Sequence, residues 1–328
     1  MNIYYFSEVY SKGKDAGNKA RNDVDKILSL KYKKLTPYEF RCNNKLIKFL
    51  QLIKSTVSVK KEDVIIIQYP LPRGLNWATS LIAKLKRVIF IVHDLYELRQ
   101  ENYSGNEVKK MARAYGIVSH NSKMTDFLVK NGIDKNKISN LEIFDYLVNE
   151  NNSTSNKQDQ SFVCFAGNLA KSNFIYDINE NITDLGVNIY GINYDEKKNS
   201  KLNYMGSFDS EIIHNKLRGR FGLVWDGDST ESCIGSFGNY MKYNNPHKVS
   251  MYIAAGIPII IWKEAAMANY IETHKIGYSI NNINEIKKIE SNISERKYSD
   301  MLKNVQKIKE QITNGKMLEK ALNKLLGE

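Results

Sequence analysis

Long apolar runs are missing from this 328-residue sequence. None approaches the ~20 residues that a membrane span requires, so the expectation is a soluble chain, or one at most peripheral to a bilayer. The first ten residues, MNIYYFSEVY, have neither a basic n-region nor a long apolar h-region, which argues against a secretory signal. Cysteine is scarce: Cys42, Cys164 and Cys233 form an odd set without metal-ligand spacing. That usage fits a reducing cytoplasm rather than a disulfide framework. No GxGxxG follows any strand candidate, so there is no dinucleotide fingerprint. The cations are scattered, without an arginine-rich arm or internal repeat.

What the chain does have is enough apolar material for packed cores, with 42% hydrophobic and 11% aromatic residues. Its length exceeds what one core supports, so two domains of roughly 150 residues each are expected. The formal charge of +12 favours acidic partners: phosphorylated small molecules, an anionic membrane surface or nucleic acid. Nucleic-acid binding would show a steep salt dependence.

Strand-length apolar runs alternate with amphipathic segments, the pattern of an α/β fold with parallel sheets. In the first half the predicted strands are Asn2 to Phe6, Val64 to Tyr69, Val88 to His93 and Gly116 to Ser119. Helical periodicity covers Asn18 to Leu30, Lys45 to Val57, Trp77 to Leu85 and Ser122 to Lys130. The polar stretch Asn149 to Gln160, NENNSTSNKQDQ, reads as a linker. Alternation then restarts with strands at Phe162 to Ala166, Val187 to Tyr190, Leu202 to Tyr204, Phe221 to Trp225, Ile257 to Trp262 and Gly277 to Ile280. Ser299 to Leu326 is predicted as one long amphipathic helix. The expected division is 1–150 and 151–328, with a C-terminal helix able to cross back. Tandem α/β domains commonly bind ligand in the cleft between them, at strand C-termini.

The stretch Asn244 to Ile261, NNPHKVSMYIAAGIPIII, sets a polar, basic knot directly before the most apolar segment. Asn245 is predicted as N-cap, Pro246 as first helical residue and Gly256 as the C-terminal stop. Lys248 then lies in the first turn, where a cation opposes the helix dipole unless an anion binds there. A diphosphate would meet backbone N–H groups, dipole and ammonium together.

The fuller run FGLVWDGDSTESCIGSFGNYMKYNNPHKVSMYIAAGIPIIIWKEAA, Phe221 to Ala266, resembles the donor-binding region of GT-B glycosyltransferases. It looks most like bacterial galactofuranosyltransferases of polysaccharide assembly and the related glucosyltransferases of adhesin glycans. The likeness is strong over about residues 160 to 290 and fainter, through VIFIVHD, in the first half. It implies a GT-B fold of two Rossmann-like domains facing a cleft. The implied activity moves a hexose from a UDP-sugar, galactofuranose first and glucose second, onto a saccharide acceptor that is lipid-linked or protein-linked. The rival reading is a noncatalytic nucleotide-sugar-binding or assembly subunit. The other expectations are a cytoplasmic enzyme, no nucleic-acid partner, and membrane contact and self-association left open.

Carried onto this chain, the resemblance places Asn244, Asn245, Pro246, His247 and Lys248 along the nucleotide and phosphates. Gly167, Asn168 and Lys171, in AGNLAK, would touch the nucleotide, and Tyr204 would lie near the base. Gly17 and Asn18, after the polar loop SEVYSKGKDA, would approach the phosphates by backbone. His93 and Asp94 end a buried strand, and Asp94 is the expected base for an inverting transfer. Asp226-Gly227-Asp228 spells a DxD; it is expected as a turn near the donor sugar, with no metal and no cofactor. Glu264 and Glu272 have the spacing of the glutamate pair of retaining relatives but the wrong register, since that pair would begin at Met251. His120, His214 and His274 are expected to be structural.

Overall fold

A computed structural model describes residues 1–7, 16–35, 44–71, 75–100, 103–148 and 161–328. The predicted linker and most of the loop before Gly17 lie outside them. The chain divides into two compact units. One contains the first strand, Gly17–Glu142 and Gly315–Glu328; the other contains Ile143–Asn314. The division thus falls between Glu142 and Ile143 rather than at 150, and the C-terminal helix belongs to the first unit.

The first unit is a six-stranded parallel sheet. Its strands are β1 (Ile3–Tyr5), β2 (Lys33–Lys34), β3 (Val64–Tyr69), β4 (Arg87–Val92), β5 (Gly116–Ser119) and β6 (Ile138–Asn140), in the order β2-β1-β3-β4-β5-β6. Every residue of β3 and β5 is buried, as a sheet covered on both faces requires. The covering helices are α1 (Ala16–Lys31), α2 (Lys45–Val57), α3 (Thr79–Leu85), α4 (Tyr96–Arg99), α5 (Glu107–Met111) and α6 (Ser122–Lys130). Asn44 caps α2 and Asn121 caps α6 through their side chains. The core joins Leu52 of α2 and Ile82 of α3 to Ile65, Ile67 and Phe90 of the sheet.

The second unit repeats the plan with β7 (Val163–Ala166), β8 (Val187–Tyr190), β9 (Asn203–Tyr204), β10 (Phe221–Val224), β11 (Ile259–Trp262) and β12 (Gly277–Ile280). All are parallel, in the order β12-β11-β10-β7-β8-β9. Its helices are α7 (Glu180–Thr183), α8 (Ile213–Lys216), α9 (Gly235–Tyr240), α10 (His247–Ala254), α11 (Ala268–Thr273), α12 (Ile286–Asn292) and α13 (Glu295–Ile312). The strand order reverses direction between β7 and β10, and that switch point is where open α/β sheets bind ligands.

The predicted helix at Ser299 to Leu326 is two helices, α13 and α14 (Lys316–Leu326). Gly315 separates them in the left-handed region at φ 72°; the hydrophobic period continues across a break that only the glycine marks. The two-residue β2 and three-residue β6 are too short and too polar to carry a strand signal. Among the described residues no helix is long and apolar enough to cross a membrane.

Candidate functional site

The site of the second unit is assembled at the β7/β10 switch point around α10. Residues Val249 to Ala254 of α10 are all buried. Tyr252 ties the helix to both strands: its hydroxyl accepts from the Ala166 amide at 2.9 Å and donates to the Leu223 carbonyl at 3.3 Å. Ser250 donates to the Phe144 carbonyl at 2.7 Å. The amino end of α10 is therefore held in a fixed position by buried bonds. Gly256 stops the helix in the left-handed region, φ 77°, as its place in the sequence predicts.

The start of α10 lies one residue later than expected. Pro246, not Asn245, is the N-cap, with an extended ψ of 127°. Its carbonyl accepts from the Val249 amide at 2.9 Å. No side chain caps this end, so the amides of the first turn are not satisfied by a capping residue. Asn245 is buried instead, and Asn244 has a buried Oδ1 without a hydrogen-bond partner. The His247 ring packs against Tyr146, 5.2 Å between centroids, and against Phe144.

Lys248 is not the unneutralised cation that the dipole argument assumed. Its Nζ donates to Asp226 Oδ1 at 2.6 Å and to the Trp225 carbonyl at 3.2 Å, and it lies 4.8 Å from the centre of the Phe165 ring. Asp226 lies two residues past the end of β10, so the ammonium spans from the helix to the segment that leaves the strand. The side chains keep 18% and 29% of their exposure, leaving the pair open to solvent on one side. Burial pushes the nearby Cys233 thiol well above its ordinary range, so it remains protonated.

Gly167 closes the other wall. A Cβ there would lie 3.6 Å from Lys248 Cε, so backbone and ammonium are neighbours across the switch point. Gly191, at φ 141°, makes this approach possible, because a Cβ on it would stand 1.7 Å from the Gly167 carbonyl oxygen. Asn168 Oδ1 accepts from the Ala170 amide and from Asn193 Nδ2, each at 3.1 Å, and shapes the turn that leads to the exposed Lys171. Tyr204 stands on the edge strand, stacked on Tyr194 at 4.3 Å with 14° between planes, and donates to the Gly191 carbonyl at 3.0 Å. Lys248 thus holds Asp226 and neighbours Gly167, with Asn168 and Tyr204 joined through the Gly191 to Asn193 turn.

The two carboxylates of the DxD have different partners. Asp226 holds Lys248, whereas Asp228 accepts from Asn173 Nδ2 at 3.3 Å. Among the described residues no three His, Cys, Asp or Glu side chains group as metal ligands. Glu264 pairs with Lys242 and Glu272 accepts from Ser279, while the buried Met251 occupies α10.

In the first unit, His93 and Asp94 follow β4 at its C-terminal end. His93 Nε2 meets Gln68 Oε1 at 2.7 Å, and Gln68 Nε2 donates to the Arg21 carbonyl of α1 at 3.2 Å. Asp94 Oδ2 accepts from Arg99 Nη1 at 3.2 Å, and both side chains stay about one-third exposed. Gly17 and Asn18 form the first turn of α1 on this sheet. Sequence reasoning missed Gln68 and Arg99. Gln68 had a signal, being the one polar residue inside the buried run VIIIQY; Arg99 had none. Phe165 and Tyr194 were also missed, because apolar and aromatic residues near strand ends look like core. His120 is buried and His214 packs on Tyr146, whereas the exposed His274 stacks on Tyr270.

Two parallel sheets of Rossmann type, one in each unit, define a GT-B fold. Comparison with known proteins places the chain more narrowly. The family model for the glucosyltransferase 3-like C-terminal domain matches residues 163–325, and that for the N-terminal domain matches residues 3–143. β-1,6-Galactofuranosyltransferase WbbI of Escherichia coli (strain K12) is 32% identical over 99% of both chains. Glucosyltransferase 3 of Streptococcus gordonii is 25% identical, covering 81% of this chain and 79% of its own. The structure of an α-glucosyltransferase (AGT) in complex with UDP, 12% identical, superposes with a TM-score of 0.57 over 100% of this chain and 99% of that one. The chain belongs to the glucosyltransferase 3-like family and is a sugar-transferring enzyme. None of these relatives supports the noncatalytic alternative.

Proposed function

We propose that this chain transfers a hexose from a UDP-sugar to a saccharide acceptor, with galactofuranose the first choice of sugar and glucose the second. The observation that carries this reading is the Lys248 ammonium held by Asp226 at the uncapped amino end of α10, beside Gly167. That arrangement offers backbone N–H groups, helix dipole and a charged donor to one diphosphate. The full-length likeness to a galactofuranosyltransferase supports the sugar; the UDP-bound structural neighbour supports the nucleotide. Tyr204, stacked on Tyr194, supplies an aromatic surface for the base, and Asn168 and Lys171 flank the nucleotide.

The acceptor hydroxyl oxygen bonds to the anomeric carbon as the bond from that carbon to the diphosphate oxygen breaks. The electron pair leaves with UDP, whose growing charge Lys248 and the α10 amides stabilise. Asp94 takes the hydroxyl proton, with Arg99 orienting its carboxylate. A single displacement of this kind inverts the anomeric centre, and no cofactor or metal enters it. Met251 in place of a glutamate on α10 favours this route over the retaining one.

Two measurements on one preparation test the reading. A panel of UDP-sugars is offered with and without saccharide acceptors, and UDP release is followed; UDP-galactofuranose is expected to turn over fastest. Lys248→Ala is then expected to weaken UDP binding by one to two orders of magnitude, about 1.5 to 3 kcal/mol for a charge-assisted contact. Unchanged UDP affinity in that variant would remove the site.

A further inference from the structure

Helix α4 carries Arg99, whose guanidinium donates to Asp94 at 3.2 Å, yet it is a single four-residue turn that buries none of its side chains. A turn that short does not hold itself together. Leu95 before it is fully buried and Leu98 packs in part on the first unit's core, but apolar contact is non-directional. The orientation of the turn is set by hydrogen bonds instead.

Those bonds come from Glu107, the first residue of α5, which is fully buried. Its Oε2 accepts from the Glu97 amide of α4 at 3.0 Å, and its Oε1 accepts at 2.6 Å from the hydroxyl of Tyr69, which ends β3. The Glu107 amide donates in return to Glu97 Oε1. One carboxylate thus joins strand, turn and helix, and Val108 and Met111 anchor that helix in the core. The Tyr69 carbonyl accepts from the His93 amide at 2.8 Å, so the same tyrosine also holds the strand end that precedes Asp94.

A carboxylate is a costly choice for this place. Among the described residues no cation pairs with Glu107, and burying a carboxylate without a counter-charge is unfavourable. Glutamine would fill the same volume without that cost. What the carboxylate adds is two acceptor oxygens for two donors, whereas glutamine has one and would turn its N–H groups towards the other donor.

We infer that Glu107 is a positioning residue for the transfer: it sets the α4 turn so that Arg99 holds the Asp94 carboxylate where the acceptor hydroxyl loses its proton. This role rests on Asp94 as the base proposed above. Glu107, fully buried, acts only through the turn.

A double-mutant cycle between Glu107 and Asp94 tests it. Turnover of the full chain is measured at saturating acceptor and saturating UDP-sugar, with the fastest donor of the panel above, alongside UDP affinity and melting. Glu107→Gln is expected to lower turnover by about ten- to a hundredfold, the cost of a misplaced group, with UDP affinity unchanged. Tyr69→Phe, which removes one of the two donors, is expected to lower it by roughly three- to tenfold. In the Asp94→Asn background neither substitution is expected to lower turnover further, because the group they position is gone. A merely structural role would lower it by the same factor in both backgrounds, a result that overturns the inference and leaves Asp94 as the base. Wild-type turnover in Glu107→Gln overturns it as well. Retained turnover in Asp94→Asn removes the base itself, and the role of Glu107 falls with it. Should Glu107→Gln fail to fold, Tyr69→Phe carries the same cycle alone.

Discussion

The two units share a plan of six parallel strands but build their C-terminal strand edges from different material. In the first unit the edge is tied by side chains, several of them charged and buried. Lys19 donates to both oxygens of Asp23 at 2.6 Å with neither side chain exposed beyond 1%. Tyr69 donates to Glu107 at 2.6 Å, and burial raises the Glu107 carboxyl above its ordinary value. His93 and Asp94 sit in this setting, each with a side-chain partner. In the second unit the equivalent edge is made of glycine turns, Gly167 against Gly191, with the Lys248–Asp226 pair beside them. The contrast fits the chemistry proposed for each edge: a proton acceptor must be oriented by neighbouring side chains, whereas a diphosphate needs close backbone and an exposed cation.

Breaking the first side of this contrast is expected to give the largest effect. Asp94→Asn should lower turnover by about two to four orders of magnitude, the range of a general base, while UDP affinity measured by calorimetry stays at the wild-type level. Retained turnover would eliminate Asp94 as the base. Next in size is an acid-sensitivity confined to the first unit. Burial holds the His120 imidazole down from its ordinary 6.5 to about 4. The folded state therefore favours the neutral ring. The stability this provides is full above pH 6.5 and is lost, by about 3 kcal/mol, as pH falls from 6.5 through about 4. Denaturant melts across that window should show the slope, and His120→Gln should flatten it.

Smaller effects sharpen the second side. Gly191→Ala must move the Gly167 carbonyl, and is expected to cost about 1 to 3 kcal/mol of stability in the second unit and to weaken UDP binding with it. A variant that melts and binds like wild type would show that the glycine approach has no part in the site. Tyr204→Ala should remove a stacking surface worth about 1 kcal/mol, seen as a few-fold rise in the UDP dissociation constant with turnover at saturation unchanged.

The same contrast explains what the sequence allowed to be read. The core strand Val64–Tyr69 was legible to the residue because it is buried along its whole length, and the edge strand Gly277–Ile280 and the helix Lys45–Val57 were legible to the residue from their apolar pattern. The α10 knot was legible because proline, lysine and glycine carry positional meaning. Its cap was misplaced by one residue because Asn245 and Pro246 both suit a helix start, and burial of Asn245 decided between them. The Lys248–Asp226 pair could not be read, since 22 residues separate its members and only the β10 to α10 return brings them together. The partners of His93 and Asp94 were hidden for the same reason: register between β3 and β4 selects Gln68, and the single turn of α4 selects Arg99.

The account rests on where the diphosphate sits, and a crystal structure of the enzyme with UDP bound answers that directly. The β-phosphate is expected within hydrogen-bond reach of Lys248 Nζ and of the first amides of α10, with the uracil towards Tyr204. A β-phosphate on any other strand end, with the Lys248–Asp226 pair left untouched, would contradict it.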